Sequence, residues 1–292
     1  MRTVTIRLST PTEEVTLAPL GDIQWAGDRA DIAYDHLKEH VQDILRQPNP
    51  LFVGLGDYID FASPSNREAL HSVRLYDTAR RVIADAGKVL VDDLYLRFLE
   101  PTTGHWAGVL EGHHHFPIRV KIADPNVEGD QNYYQHSDQY LAEKLRTSFL
   151  EEMGLIKLRW PGGGKVNILA FHGSGSSVFP WGPLNKLFRL SPGFSADIYL
   201  MGHQSKNAVG DYDEILPVDD EVSGDRLDHR TKHLVGCGAW TRGYVEGKRT
   251  YVSNAGLSPV ALGHPIIHIR PRLRVTTSTG ATIWEPRIRV EK

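Results

Sequence analysis

The chain has one cysteine, no long apolar run and no surplus of either charge. With a single thiol, Cys237, an internal disulfide is excluded. The residue sits in the apolar, glycine-rich stretch Leu234 to Gly238, which suits an inert buried thiol in a reducing compartment. No hydrophobic run approaches the roughly 20 residues that a bilayer span needs. The start, Met1-Arg2-Thr3-Val4-Thr5-Ile6, alternates like a strand and lacks the apolar core of a secretion signal. A cytoplasmic location, with no membrane partner, is the expectation. Lys and Arg number 33 against 36 Asp and Glu, a net charge of −3. That balance does not mark the chain for nucleic acid or for a membrane surface. Arg270, Arg272, Arg274, Arg287 and Arg289 do gather near the C-terminus, but they alternate with apolar residues, as the wet face of a strand does.

What is present is ordinary in amount and informative in order. The 292 residues, 40% hydrophobic and 24% charged, can bury a substantial core. Without an internal repeat, a low-complexity tract or a linker, 1–292 reads as a single domain. Apolar runs predict strands over Val15 to Leu20, Leu51 to Leu55, Trp106 to Leu110, Val166 to Phe171 and Ile198 to Met201. Helical spacing predicts helices over Ala30 to Leu45, Ala79 to Phe98 and Leu141 to Met153. Alternation of the two makes the fold class α/β. From about residue 230 the pattern changes to short strands broken by Gly and Pro, namely His233 to Gly236, Ile266 to Arg270, Leu273 to Thr276 and Ile283 to Val290. These are expected to add antiparallel edge strands. The polar stretches Asp124 to Asp138 and Asp211 to Arg230 read as rim loops. Gly162-Gly163-Gly164-Lys165 precedes a strand and lacks the spacing of a phosphate loop, so it reads as a hairpin turn.

Five of the strands end in metal-ligand chemistry: Gly21-Asp22-Ile23-Gln24, Gly56-Asp57-Tyr58-Ile59-Asp60, Gly112-His113-His114-His115, Phe171-His172-Gly173 and Gly202-His203. An Asp or His beside a Gly is common, and singly each could be a helix cap or a satisfied core histidine. Five together form a constellation, because strand ends of open α/β sheets are where ligands gather. Oxygen and imidazole donors without thiolate suit Mn, Fe or Zn at a hydrolytic centre. His36, His40, His71 and His229 fall at surface or helix positions and receive no role. Core or rim packing is expected of Trp25, Trp181 and Trp240.

The order Asp, Gly-Asp, Gly-x-His, His, Gly-His resembles that of the calcineurin-like metallophosphoesterases, over about residues 15–205. A weaker likeness to the phage- and prophage-associated branch extends to about residue 270 through Gly238-Ala239-Trp240, Gly243-Tyr244, Tyr251, Pro259 and Leu262-Gly263-His264-Pro265. The resemblance implies a two-layer mixed β sandwich flanked by helices, in four αββα layers, and a dinuclear metal centre at the strand ends. It places Asp57 as the bridging carboxylate, Asp22 on the first metal, and His172 and His203 on the second. His113 stands where the family has an Asn ligand of the second metal, with His115 as the alternative ligand. His114 matches the histidine that assists catalysis without binding metal, near phosphoryl and leaving oxygens.

Two departures weaken the first metal site. Gln24 and Ser205 stand where the family has histidines. Gln24 can donate its carbonyl oxygen; Ser205 is a poor ligand. One or two divalent ions per chain are therefore implied, with Mn foremost and Fe, Zn or Mg as alternatives. The implied activity is hydrolysis of a phosphomonoester or phosphodiester by metal-activated water, in the host cytoplasm if the chain is phage-encoded. The alternatives are a nuclease acting on DNA or RNA ends, which the charge does not indicate, and a catalytically weakened binding scaffold.

Overall fold

Every residue of the strand Val15–Leu20 is buried on both faces of its sheet, and the molecule is built outward from strands of this kind. The computed structural model of the protein describes residues 1–61, 76–121, 132–218, 226–254, 256, 258–275 and 282–292. The chain runs through β1 (Arg2–Arg7), β2 (Val15–Leu20), α1 (Tyr34–Leu45), β3 (Pro50–Gly54), α2 (Asp77–Leu94), β4 (Trp106–Val109), β5 (Pro117–Lys121), β6 (Asn132–His136) and α3 (Ser137–Lys144). It continues with β7 (Met153–Arg159), β8 (Lys165–Phe171), α4 (Gly182–Leu190), β9 (Ile198–Met201), β10 (Ala208–Val218), β11 (Arg226–Gly236), α5 (Tyr251–Asn254), β12 (Ile266–Val275) and β13 (Thr282–Glu291).

One sheet has the order β1-β7-β8-β9-β11-β10 and the other β13-β12-β2-β3-β4. Between them Leu17, Val53, Leu55 and Ala107 share an apolar layer with Ile156, Ile168, Ile198 and Val235. On the outer side of the five-stranded sheet, Leu20, Phe52 and Trp106 pack on Leu37, Val41 and Ile44 of α1, Val91 and Leu94 of α2, and Leu141 of α3. The spacing of those α1 residues is the one that lines a single helix face. Leu169, Tyr199 and Met201 of the other sheet meet Leu187 of α4. The result is helix, sheet, sheet, helix: a mixed β sandwich flanked by helices, the fold class that the resemblance implies. Among the described residues no helix is long and apolar enough to cross a membrane.

Several expectations are corrected. Helix α1 begins at Tyr34 and not Ala30, because Ile32 bridges Thr241 and the Ala33 N–H donates to Trp240 O at 2.7 Å. No helix runs from Leu141 to Met153. α3 stops at Lys144, and residues 148–150 line up beside β4 instead, with Val109 N–H on Ser148 O and Leu150 N–H on Val109 O. The stretch expected as a loop from Asp124 contains β6, which pairs with β5 in a two-stranded ribbon. Asp211 to Arg230 is no rim loop either. Most of it lies in the antiparallel pair β10 and β11, where Asp211 meets His233 Nδ1 at 2.7 Å and Asp213 accepts from Thr231 Oγ1 at 2.8 Å. Acidic residues on this edge strand are matched by partners directly across it, which reads as loop polarity in one dimension. Ile266 to Arg270 and Leu273 to Thr276 are parts of one strand: Pro271 faces Pro286 in the β12–β13 ladder, so the residues lacking N–H share one rung. The turn at Gly162 to Gly164 does join the antiparallel pair β7 and β8. His71, residues 124–131 and 219–225, and Thr276 lie outside the described residues.

The C-terminal segment closes over the first strand end. Buried His264 donates through Nδ1 to Pro19 O at 3.0 Å, and Trp240 packs between it and His40 with tilted rings. Burial pushes both histidines from 6.5 down to about 4. Their rings are neutral in the fold and take up protons near 6.5 once unfolded, so stability present above pH 6.5 is lost as pH falls towards 4. For His264 the loss is on the order of 3 kcal/mol. Urea melts across this window are expected to slope downward with acidification, and less so in His264→Gln; equal slopes would contradict the assignment.

Candidate metal centre

Strands β2 and β3 are parallel neighbours, and their pairing continues past both strand ends. Asp22 N–H donates to Gly56 O, Gln24 N–H to Asp57 O and Trp25 N–H to Tyr58 O, all near 3 Å. To do this while turning out of the sheet, the chain takes up left-handed backbone. Among the described residues eight non-glycine residues have positive φ, and five are Asp22 (48°), Gln24 (51°), Asp57 (55°), His203 (63°) and Ser205 (52°). Such conformations disfavour L-residues and tend to cluster where function holds them in place. Four lie in the strand-end motifs, and Ser205 follows two residues after His203.

These turns bring three imidazoles together. His113, after β4, His172, after β8, and His203, after β9, each offer a ring nitrogen within 4.8 Å of the others. The Nδ1 atoms of His113 and His203 are 3.2 Å apart. His172 commits Nδ1–H to Leu55 O at 2.5 Å, so Nε2 is the nitrogen it can offer as a lone pair once that atom is deprotonated. That Nε2 is buried without a hydrogen-bond partner, 3.4 Å from Asp57 Oδ2. Asp22 is buried beside them: Oδ2 accepts from His203 N–H at 2.8 Å, while Oδ1 has no partner. A buried imidazole nitrogen and a buried carboxylate oxygen left open at one place fit a cation.

The electrostatics point the same way. Burial and the neighbouring Asp57 charge raise Asp22 to about 7. Burial alone would raise Asp57 too, yet His172 and His114 hold it well below the usual carboxylate range. Burial would lower His172, but Asp57 and Asp22 bring it up to about 9. Burial, with His172 and His113 beside it, lowers His203 to about 4. Two buried carboxylates thus keep a proton on one of the three imidazoles, in the role a bound cation would take over.

Beside this group lies His114. Its N–H donates to Asp57 Oδ1 at 2.8 Å, its Nδ1 is 3.1 Å from Asp60 Oδ1, and its Nε2 is 3.9 Å from Asp57 Oδ2. Asp60 was legible in the Gly-Asp motif as a nearby acid, but it carried no assigned role. Asp138 was missed altogether: buried, it accepts Gly112 N–H at 2.9 Å, and burial raises it to about 6. No sequence signal pairs Asp138 with a glycine 26 positions earlier. Gln24 directs its Oε1 to Thr241, accepting from Oγ1 at 3.0 Å. His115 turns away from the three imidazoles towards Glu111 and His136. Trp25 and Trp240 are core residues, whereas Trp181 is 54% exposed and stacked on Phe179.

A cleft of about 530 Å³ borders the centre. Phe171 and Gln204, next in sequence to His172 and His203, line it together with Ser174, Ser177, Lys186 and Arg189.

No protein-family model matches the chain, and no curated protein does. Among solved structures it is similar to the Vps29 single mutant D62A from Entamoeba histolytica, at 14% identity and a TM-score of 0.36. It is also similar to a conserved predicted phosphoesterase from Streptococcus pneumoniae TIGR4, at 11% identity and a TM-score of 0.33. Each likeness covers 94% of this chain and 98% of the other. Superpositions this loose carry no functional weight, so function has to rest on the site.

Gly112 makes a direct test of that site. A Cβ there would stand 2.0 Å from Asp57 N and 2.3 Å from Asp57 Oδ1. Gly112→Ala is expected to displace the Asp57 turn and weaken Mn binding by about tenfold or more, a loss of the size seen when an outer-shell support is removed. Calorimetric titration with Mn at unchanged far-UV dichroism reads this, and unchanged affinity would refute the close packing.

Proposed function

We propose that the chain is a metal-dependent phosphoester hydrolase, with one ion held by Asp57, His113, His172 and His203. The observation that carries this reading is the convergence of three imidazoles and two buried carboxylates from both sheets, with His172 Nε2 and Asp22 Oδ1 lacking hydrogen-bond partners. A second ion has Asp22, Asp57 and Gln24 available, a weaker and oxygen-rich set that favours Mn or Mg over Zn. When bound, the ions polarise the phosphoryl oxygen and supply nucleophilic water at neutral pH. His114 handles the proton. Asp60 holds its Nδ1–H and thereby leaves Nε2 to face the leaving oxygen.

The rest of the substrate occupies the cleft lined by Lys186 and Arg189, which suits an anionic molecule. Between the lining residues Ser177 and Gly182, Phe179 and Trp181 stack at 5.5 Å and are both more than half exposed. A flat aromatic platform beside cationic side chains favours a phosphodiester with attached bases, so the nuclease reading stands as the specific form of this proposal. In this proposal residues 1–292 act as one cytoplasmic domain, and the tail residues carry the likeness to the phage-associated branch.

His114→Ala is expected to lower turnover of bis-nitrophenyl phosphate by roughly 10²–10⁴-fold while elemental analysis finds Mn content nearly unchanged. Asp57→Asn is expected to lose bound Mn. Parallel loss of metal and activity in His114→Ala would make His114 a ligand instead, and an Mn-loaded wild type inert towards every generic ester would overturn the hydrolase. For the nuclease form, Trp181→Ala should weaken binding of a short single-stranded DNA without changing hydrolysis of the small ester. Equal effects on both would remove the platform from substrate recognition.

A further inference from the structure

A second donor cluster lies outside the centre just described. Glu111, His115 and His136 each bring one ligand atom within 4.8 Å of the others. Glu111 Oε1 is 3.5 Å from His115 Nδ1 and 3.4 Å from His136 Nε2. Donors held about 2.0–2.1 Å from a tetrahedral zinc stand about 3.3 Å apart along each edge, so both distances already match a coordination edge. The two rings lie 3.9 Å apart, 33° from parallel, with the carboxylate beside both. The other nitrogen of His136, Nδ1, is buried without a partner, so the ring's polar contact is directed at Glu111.

We propose that Glu111, His115 and His136 form an auxiliary zinc site. Two imidazoles and a carboxylate match zinc's preference, and three protein ligands leave a fourth position for water. Zinc also ranks above Mn in affinity for such donors, so it would be retained here when Mn loads the oxygen-rich position of the main centre. On binding, His115 gives up its hydrogen bond to Gly112 O, 2.8 Å away, and carries its proton on Nε2 instead. Nothing else in the cluster has to open.

The site has a structural consequence. Glu111 and His115 flank Gly112, His113 and His114 on the loop after β4, while His136 ends β6. Asp138, two residues beyond His136, already holds Gly112 N–H at 2.9 Å. An ion here would clamp the loop that presents His113 and His114 to the β6–α3 junction, by a second and stronger tie than that one hydrogen bond.

Its test is separable from the proposed hydrolase because it uses a chain without the main centre. The triple variant His113→Ala, His172→Ala, His203→Ala is equilibrated with zinc, freed of excess ion and analysed for metal. One zinc per chain is expected, together with a rise in melting temperature on adding zinc. Adding Glu111→Gln or His136→Ala should abolish both effects, with far-UV dichroism confirming a folded chain. Cobalt in place of zinc should give the visible absorption of a four-coordinate site in the triple variant and not in the quadruple ones. In an otherwise native chain, His136→Gln should lower zinc content by one ion and leave the Mn content intact. A triple variant that retains no zinc, or quadruple variants that retain as much as the triple, would overturn the site.

Discussion

The buried Asp57 carboxylate is the constraint around which the site is organised. An isolated carboxylate in a protein interior costs several kcal/mol unless it is paired and hydrogen-bonded. Asp57 meets this demand from two directions: His114 donates a backbone N–H to Oδ1, and His172 stands 3.4 Å from Oδ2. Each partner is supported in turn. Leu55 O orients His172, and Asp138 fixes Gly112, whose missing side chain is what lets the loop after β4 approach Asp57. A charge placed at one strand end thus sets the position of two other strand ends, one in each sheet.

Backbone geometry pays for this arrangement. Asp22, Gln24, Asp57, His203 and Ser205 all take left-handed conformations that L-residues disfavour. The hydrogen bonds from residues 22–25 to residues 56–58 hold two of these turns against each other, and the tail reaches in as well, with Trp240 N–H on Asp22 O. The tail also reaches Gln24, whose Oε1 accepts from the Thr241 hydroxyl.

Much of the fold was legible because burial writes itself into one dimension. Strands buried on both faces appear as unbroken apolar runs, and β2, β3, β4, β8 and β9 all lay where such runs stand. The misread segments share a cause: their polar residues are satisfied by partners far away in sequence. Asp211 and Asp213 are matched by His233 and Thr231 across a hairpin, and residues 148–150 follow β4 and not their own helix. Pairings at such separation leave no local periodicity.

From the sequence alone followed the α/β class, the strand ends as the place where carboxylates and imidazoles gather, and the set of Asp and His residues found there. These follow from apolar patterning and from side-chain chemistry, which are local properties. Only the tertiary structure decided that His113 and not His115 joins His172 and His203, and that His115 faces Glu111 and His136 instead. It also supplied Asp60 and Asp138 and tied Gln24 to Thr241. Neighbouring residues on a turn point in different directions, and which one meets a distant partner depends on backbone angles that the rest of the fold imposes.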